Sequence, residues 1–265
     1  MNKTAVLIPH YNNPEGLAAS LASIGQEEHV DVLMVDDGSR VNPINEELMR
    51  RSFKANGQLM YIYMPQNRGI EYALNTGLEY LHKKGYSYIA RLDCGDLCLN
   101  NRFAVQQQFL EANPSVKLVG SNVAAVDLQG GHLYNLVLPE TYEQLKRKMY
   151  LNCQVIHPSA MLNAEVLNNV GYYPDNYKYA EDYAYFFKIM KKYEIANIQQ
   201  NLVQIEINPS GISATKRKKQ VQSRLRIMAD NFYFGFYPVY GILRSLLLYV
   251  MPTGLILALK KKLSK

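Results

Sequence analysis

Thr4-Ala5-Val6-Leu7-Ile8-Pro9-His10-Tyr11-Asn12-Asn13-Pro14 sets the architecture of this chain. Residues 5–8 form an unbroken apolar run, as expected of a strand covered on both faces. Pro9 is expected to end that strand, and Asn13-Pro14 to open a helix running to about Ile24. The unit then recurs. Apolar runs at 32–35, 59–63 and 88–92 read as further strands, and 45–54, 70–84 and 101–112 as helices. In the helix at 70–84, Ala73, Leu74, Leu78 and Leu81 make one apolar face before Gly85 closes it. Alternating strands and amphipathic helices imply a largely parallel sheet.

The pattern changes after Asn113-Pro114. Residues 116–119 and 122–127 read as two strands, and Gln129-Gly130-Gly131 as a turn into a strand at 133–138. Helices at 142–150 and 181–193 and a strand at 196–207 follow. The second half is therefore expected to turn a parallel sheet into a mixed one.

The 265 residues (30.3 kDa) are 48% hydrophobic and 20% charged, which excludes a disordered chain and a coiled-coil rod. The charge is uneven. Residues 1–212 hold 18 Lys and Arg against 22 Asp and Glu, whereas residues 213–265 hold 11 against the single Asp230. The net +6 is thus a basic tail on a mildly acidic body, and no nucleic-acid partner is expected for the body. Cys94, Cys98 and Cys153 cannot all pair, and residues 4–8 are too short for the apolar core of a signal peptide. Both observations point to the cytoplasm. The two cysteines at 94 and 98 have no second ligand pair nearby and read as packing residues.

In a doubly wound sheet, ligands sit at the carboxyl ends of the strands. Four polar loops leave such ends here: Pro9-His10-Tyr11-Asn12, Asp36-Asp37-Gly38-Ser39, Asn67-Arg68-Gly69 and Asp93-Cys94-Gly95-Asp96. Asp-Gly-Ser alone is a common turn, and two acids three residues apart are common caps. Acids clustered at successive strand ends are costly unless a cation or a hydrogen-bonding ligand offsets them.

Those loops resemble a known family. Ile8-Pro9-His10-Tyr11-Asn12, Val35-Asp36-Asp37-Gly38-Ser39, Asn67-Arg68-Gly69 with Ala73-Leu74-Asn75-Thr76-Gly77, Arg91-Leu92-Asp93-Cys94-Gly95-Asp96 and Ala180-Glu181-Asp182-Tyr183 stand in the order and spacing of the family 2 glycosyltransferases. These are inverting enzymes of the GT-A fold that use nucleotide sugars. The resemblance covers roughly residues 3–230. It implies an α/β, Rossmann-like mixed sheet flanked by helices over residues 1–212, with a basic, amphipathic helical tail over 213–265.

By that resemblance, Pro9 and Tyr11 flank the donor base, Asp37 accepts the imide N–H of uracil or thymine, and Arg68 meets the diphosphate. Tyr11 stacked on the base would contribute roughly 1–3 kcal/mol. Asp93 and Asp96 would hold the donor and a divalent cation, Mg²⁺ or Mn²⁺. The sequence departs from the family there: the usual Asp-Ala-Asp-Asp has its metal-ligating second acid where this chain has Gly95. Asp182 is the implied general base, with Glu181 supporting it or touching the acceptor. His157 borders the acceptor region, although a core or capping histidine reads equally well.

Lys216-Arg217-Lys218-Lys219, Arg224 and Arg226 lie on an expected helix, capped by Ser213. They form either a solvated face or a segment that closes over the diphosphate or attracts anionic lipid. The uninterrupted apolar run 245–259 has 15 residues, short of the roughly 20 a spanning helix needs, and Lys260-Lys261-Lys262 ends it. A segment lying in the membrane interface is expected, with an apolar contact between copies of the chain as the competing account. The implied protein is peripheral on the inner face of the cell membrane. It moves a sugar from UDP or dTDP to a glycan acceptor, a lipid-linked oligosaccharide of surface polysaccharide (O-antigen or capsule) assembly. Two alternatives remain: a nucleotidyltransferase, for which residues 9–14 lack the Gly-rich basic loop, and an inactive, membrane-tethered sugar-nucleotide-binding module.

Overall fold

The computed structural model describes residues 2–208 and 215–251. Four parallel strands, β1 (Thr4–His10), β2 (Val30–Asp36), β3 (Leu59–Tyr63) and β4 (Tyr88–Arg91), are ordered β3-β2-β1-β4. The sheet continues from β4 through β8 (Met161–Asn163), β6 (Val116–Val126) and β9 (Glu194–Glu206) to β5 (Leu97–Cys98). A further strand, β7 (His132–Leu136), pairs with β6. The β4–β8 and β8–β6 pairs are antiparallel and β6–β9 is parallel, so the sheet is mixed as the sequence implies.

Alternation along β1 and β2 divides the core into two layers. Val6, Ile8, Val32 and Met34 face α1 (Pro14–Ala22), α2 (Glu46–Ser52) and α4 (Arg102–Ala112). Ala5, Leu7, Leu33 and Val35 face α3 (Ile70–Lys84) and α7 (Glu181–Met190). Pro14 occupies the start of α1, and the Asn13 side chain accepts from the Gly16 amide. Two shorter helices, α5 (Tyr142–Lys148) and α6 (Val166–Val170), complete the body.

Several expected boundaries are corrected. Pro9 does not end β1. It pairs with Val35, and β4 reaches only as far as Leu7. Leu7 O accepts from Leu92 N on the β4 side, so the Pro9 nitrogen, two residues on, faces the same side beyond the end of that ladder. The two strands expected at 116–119 and 122–127 are one, because Gly120 and Ser121 continue the ladder to β9 across a register shift. The two-residue β5, the three-residue β8, α6 and the 3₁₀ turn His157–Ser159 were not anticipated.

The tail begins with α8 (Arg217–Asp230) and α9 (Phe236–Val250), which pack on the body. Ile227 and Met228 join the core beneath α7. Gly241 lies so close to Tyr150 that an added Cβ would stand 2.1 Å from its carbonyl oxygen. The guanidinium of Arg217 donates to Leu248 O (2.7 Å) and Met251 O (2.9 Å), fastening the start of α8 to the end of α9. The expected Ser213 cap and the run beyond Met251, including Lys260-Lys261-Lys262, lie outside the described residues. Among the described residues no helix is long and apolar enough to cross a membrane.

Candidate active site

Strand order reverses between β1 and β4, and the loops leaving β3, β2, β1 and β4 line up along one sheet end. The loops after β1 and β2 are fastened together. Asn12 N donates to Ser39 Oγ (2.8 Å), and Asn12 Oδ1 accepts from the Val41 (3.2 Å) and Asn42 (3.1 Å) amides. His10 is buried; its Nε2 accepts from Asn13 N (3.1 Å), which leaves Nδ1 to carry the proton toward Asp36, 3.3 Å away. Burial lowers the His10 pKa, outweighing the pull of Asp36. Asp36 also accepts from Ser39 N at 2.7 Å.

Asp37 is buried, and each of its oxygens accepts a backbone amide at 2.9 Å, one from Arg68 and one from Gly69. Its carboxylate therefore fastens the loop after β3 onto the loop after β2, and each oxygen keeps a second lone pair. Burial raises its pKa and the two amides oppose the rise. Gly38 makes this closeness attainable: its φ is +69°, and a Cβ would meet the Gln66–Asn67 backbone at 2.3–2.5 Å. Arg68 is exposed, its guanidinium 4.1 Å from the Tyr72 ring centroid, free to meet a ligand. Tyr11 is 52% exposed beside Pro9, presenting a ring to the same loops.

The loop after β4 holds Asp93 and Asp96. Asp93 Oδ1 lies 2.5 Å from Arg91 Nη2, and the other amino group of Arg91 donates to Leu7 O and Leu92 O. Arg91 stands in the Arg91-Leu92-Asp93 motif, where the resemblance implies no role for it. An arginine in an otherwise apolar buried strand was the available signal, since such a charge requires partners. Asp96 accepts from Glu206 N (3.2 Å), and its pKa is pushed up to about 8 by burial and then by Asp93. Gly95 between them has φ +103° with open space where a Cβ would lie. The Cys94 thiol donates to Asn13 O, which ties this loop to α1.

Glu181 and Asp182 begin α7, whose N-cap Ala180 offers no side-chain cap, so the two acids face unsatisfied helix amides. Burial raises Glu181 to about 7, with Asp182, Glu71 and Asp93 adding repulsion. His157 Nε2 lies 2.9 Å from the Tyr173 hydroxyl. Burial and then Arg91 lower the His157 pKa, while Asp182 and Asp93 oppose that. Burial and then Asp182 raise the pKa of the half-buried Cys153 thiol. Asp93, Glu181, Asp182, His157 and Tyr173 thus share one electrostatic neighbourhood. Tyr173, which carried no sequence signal, is the addition.

Among the described residues no group of three or more His, Cys, Asp or Glu side chains is placed to hold a metal ion. Asp93, paired with Arg91, and Asp96, whose pKa burial and then Asp93 raise, are two carboxylates on one loop. They suit an oxygen-seeking cation whose remaining ligands come from elsewhere.

Comparison with known proteins agrees with this geometry. The sequence model of glycosyl transferase family 2 matches residues 5–171. The amylovoran biosynthesis glycosyltransferase AmsE of Erwinia amylovora is 26% identical over 230 residues, covering 84% of this chain and 83% of AmsE. The bifunctional glycosyltransferase pgtA of Dictyostelium discoideum is 24% identical over 249 residues, and the match spans 81% of this chain but 32% of pgtA. Among solved structures, S. aureus TarS in complex with UDP-GlcNAc superposes with a TM-score of 0.67 at 16% identity, over 93% of this chain and 72% of that one. The mannosyltransferase PcManGT of Pyrobaculum calidifontis, in complex with GDP-Man and Mn²⁺, gives 0.64 at 20% identity, over 92% and 68%. These likenesses establish the GT-A fold. The family match, over more than half the residues, establishes the rest: this chain belongs to glycosyl transferase family 2 and is a glycosyltransferase that draws on a nucleotide-sugar donor.

Proposed function

We propose that the enzyme transfers a sugar with inversion from a UDP- or dTDP-sugar to a glycan acceptor, a lipid-linked oligosaccharide of surface polysaccharide assembly. The observation that carries this reading is that Asp93, in the loop after β4, and Asp182, at the start of α7, both act electrostatically on Glu181 and His157, next to donor loops fastened to one another. AmsE, by its name, serves the biosynthesis of a polysaccharide, and TarS was crystallised with UDP-GlcNAc.

Tyr11 and Pro9 flank the base, and the free lone pairs of Asp37 face its imide N–H. Arg68 supports the diphosphate. A Mg²⁺ or Mn²⁺ ion held by Asp93 and Asp96 would neutralise diphosphate charge. Asp182 takes the proton of the acceptor hydroxyl as its oxygen bonds to the anomeric carbon. The bond from that carbon to the nucleotide oxygen breaks, and its electron pair leaves with the diphosphate. Glu181, with its proton held up to about pH 7, adds no second charge beside the base in mildly acidic solution. His157 and Tyr173 border the acceptor hydroxyl.

The exposed apolar face of α9, with Phe236 73%, Leu243 60% and Leu247 58% exposed, supports a resting place on the inner membrane surface. The 213–265 segment is then a membrane-facing tail on a 1–212 catalytic domain.

A panel of nucleotide sugars, read as free nucleoside diphosphate with and without Mn²⁺, tests the donor. Release of UDP or dTDP, lowered by excess EDTA, is expected. Tight GDP binding with no measurable UDP or dTDP binding in calorimetry would overturn the donor reading.

A further inference from the structure

Two arginines of the tail helices converge on one carbonyl. Arg224 of α8 and Arg244 of α9 both donate to Leu151 O, at 3.1 Å and 2.8 Å. Two guanidinium nitrogens therefore stand within two hydrogen-bond lengths of each other. Like charges this close repel unless an anion offsets them. Among the described residues none does: the arginines that meet a carboxylate are Arg50, Arg51 and Arg91. The single acidic side chain of the tail, Asp230, is engaged by the Tyr177 hydroxyl at 2.6 Å. Each guanidinium spends one amino group on Leu151 and keeps the rest of its fork.

The pair lies where the tail meets the acceptor end of the site. Leu151 belongs to the stretch between α5 and the turn that carries His157. The Arg224 guanidinium rests 5.6 Å from the ring centroid of Tyr183, the residue after Asp182 on α7, and the Tyr183 hydroxyl donates to Met149 O. The Cys153 thiol, two residues past Leu151, lies within electrostatic reach of both Asp182 and Arg224. Arg217, on the same face of α8 as Arg224 and two turns before it, holds Leu248 O and Met251 O. The two helices therefore run antiparallel, and Arg244 falls opposite Arg224. Arg244 is itself exposed, four residues after Tyr240 and three before Leu247, both exposed as well. It thus borders the exposed apolar face of α9.

We propose that Arg224 and Arg244 bind the diphosphate of a lipid-linked acceptor whose hydrocarbon follows the apolar face of α9. Guanidinium forks match phosphate oxygens. Two of them match the two charges of a diphosphate diester, whereas the phosphodiester of a bulk phospholipid such as phosphatidylglycerol brings one. An arginine at the edge of an apolar helix reaches the headgroup level while its stem stays against hydrocarbon. A sugar carried on that diphosphate would stand on the Asp182 side of the pair. The inference rests on the lipid-linked reading of the acceptor and adds the residues that recognise its charge.

Direct binding by the full chain tests this without turnover. UDP is kept saturating so that the donor loops are filled. The probes are farnesyl diphosphate, farnesol and dihexanoyl phosphatidylglycerol below its micelle concentration. Wild-type protein is expected to bind farnesyl diphosphate most tightly of the three. Arg224→Gln with Arg244→Gln should weaken farnesyl diphosphate about tenfold or more and leave farnesol unchanged. UDP affinity checks that each variant is folded. Arg244→Gln alone, at an exposed position, should weaken farnesyl diphosphate several-fold even where the double variant fails that check. Unchanged farnesyl diphosphate binding by either folded variant would overturn the proposal. Phosphatidylglycerol bound as tightly as farnesyl diphosphate would assign the pair to bulk lipid and overturn the acceptor claim. Failure of the wild-type enzyme to transfer sugar to any lipid-linked acceptor, with these affinities as expected, would instead defeat the acceptor reading and leave the pair as a lipid diphosphate site.

Discussion

The loop after β2, the loop after β4 and the segment opening α7 are all acidic, yet their carboxylates are satisfied to different degrees. Asp36 and Asp37 are buried and accept amides from Ser39, Arg68 and Gly69, so their charge is spent on shape. At the start of α7 burial and then Asp182 hold Glu181 up to about 7, and in the loop after β4 burial and then Asp93 hold Asp96 up to about 8 against one amide from Glu206. The donor side is a finished cradle. Around Glu181 and Asp96 the charge is crowded and half-buried, and a proton, a cation or a substrate would relieve it.

The largest effect expected from breaking this division is at Asp182. Asp182→Asn keeps the size of the side chain and removes the proton acceptor. Turnover should fall by about 10²–10⁴ while UDP affinity stays near wild type. Steady-state rates paired with calorimetry read both, and wild-type turnover with the natural acceptor would exclude Asp182 as the base.

On the cradle side the pattern should invert. Asp37→Ala removes acceptors from two amides and should cost about 2 kcal/mol of stability by chemical denaturation, together with UDP affinity. An Asp37→Ala protein of wild-type stability would mean that the carboxylate does not hold the loop after β3.

A smaller effect appears in the pH dependence of stability. The folded-state pKa values of Asp96 and Glu181 lie above those of the unfolded chain, so the folded form binds more protons and loses stability as pH rises toward 7 and 8. His10 and His157 have lowered values and act oppositely, but only below about pH 6.5, where the unfolded imidazole titrates. From about pH 6.5 to 8 the acids act alone, and stability should fall by about 1–2 kcal/mol. Mn²⁺ with UDP should flatten the fall in thermal melts. Stability that rises across this window would contradict the crowded charge.

The contrast also explains what could be read from the sequence. The strands β1, β2 and β4 were legible because burial on both faces writes them as continuous apolar runs, the half-buried edge strand β3 kept an apolar run as well, and the four loops stood at their ends. β5 and β8, two and three residues long, carry no period at all. β6 looked like two strands because Gly120 and polar Ser121 interrupt the apolar run, although both are paired inside the sheet just before the ladder to β9 shifts register. Asp37 could be placed beside a donor base by resemblance, but its grip on the Arg68 and Gly69 amides is tertiary and leaves no local pattern. Tyr173 entered the site for the same reason, through His157, whereas Arg91 was visible as a charge within an apolar strand. The basic run of α8 was legible, whereas the meeting of Arg224 with Arg244 on one carbonyl was not.

In the proposed mechanism one base at the start of α7 drives a single displacement on a donor held by the four loops. The anomeric configuration of the first-formed product, followed by proton NMR during transfer, tests it most directly. A single displacement predicts a product of configuration opposite to that of the donor. A product that keeps the donor's configuration from the earliest spectra would require a different mechanism and would contradict the account.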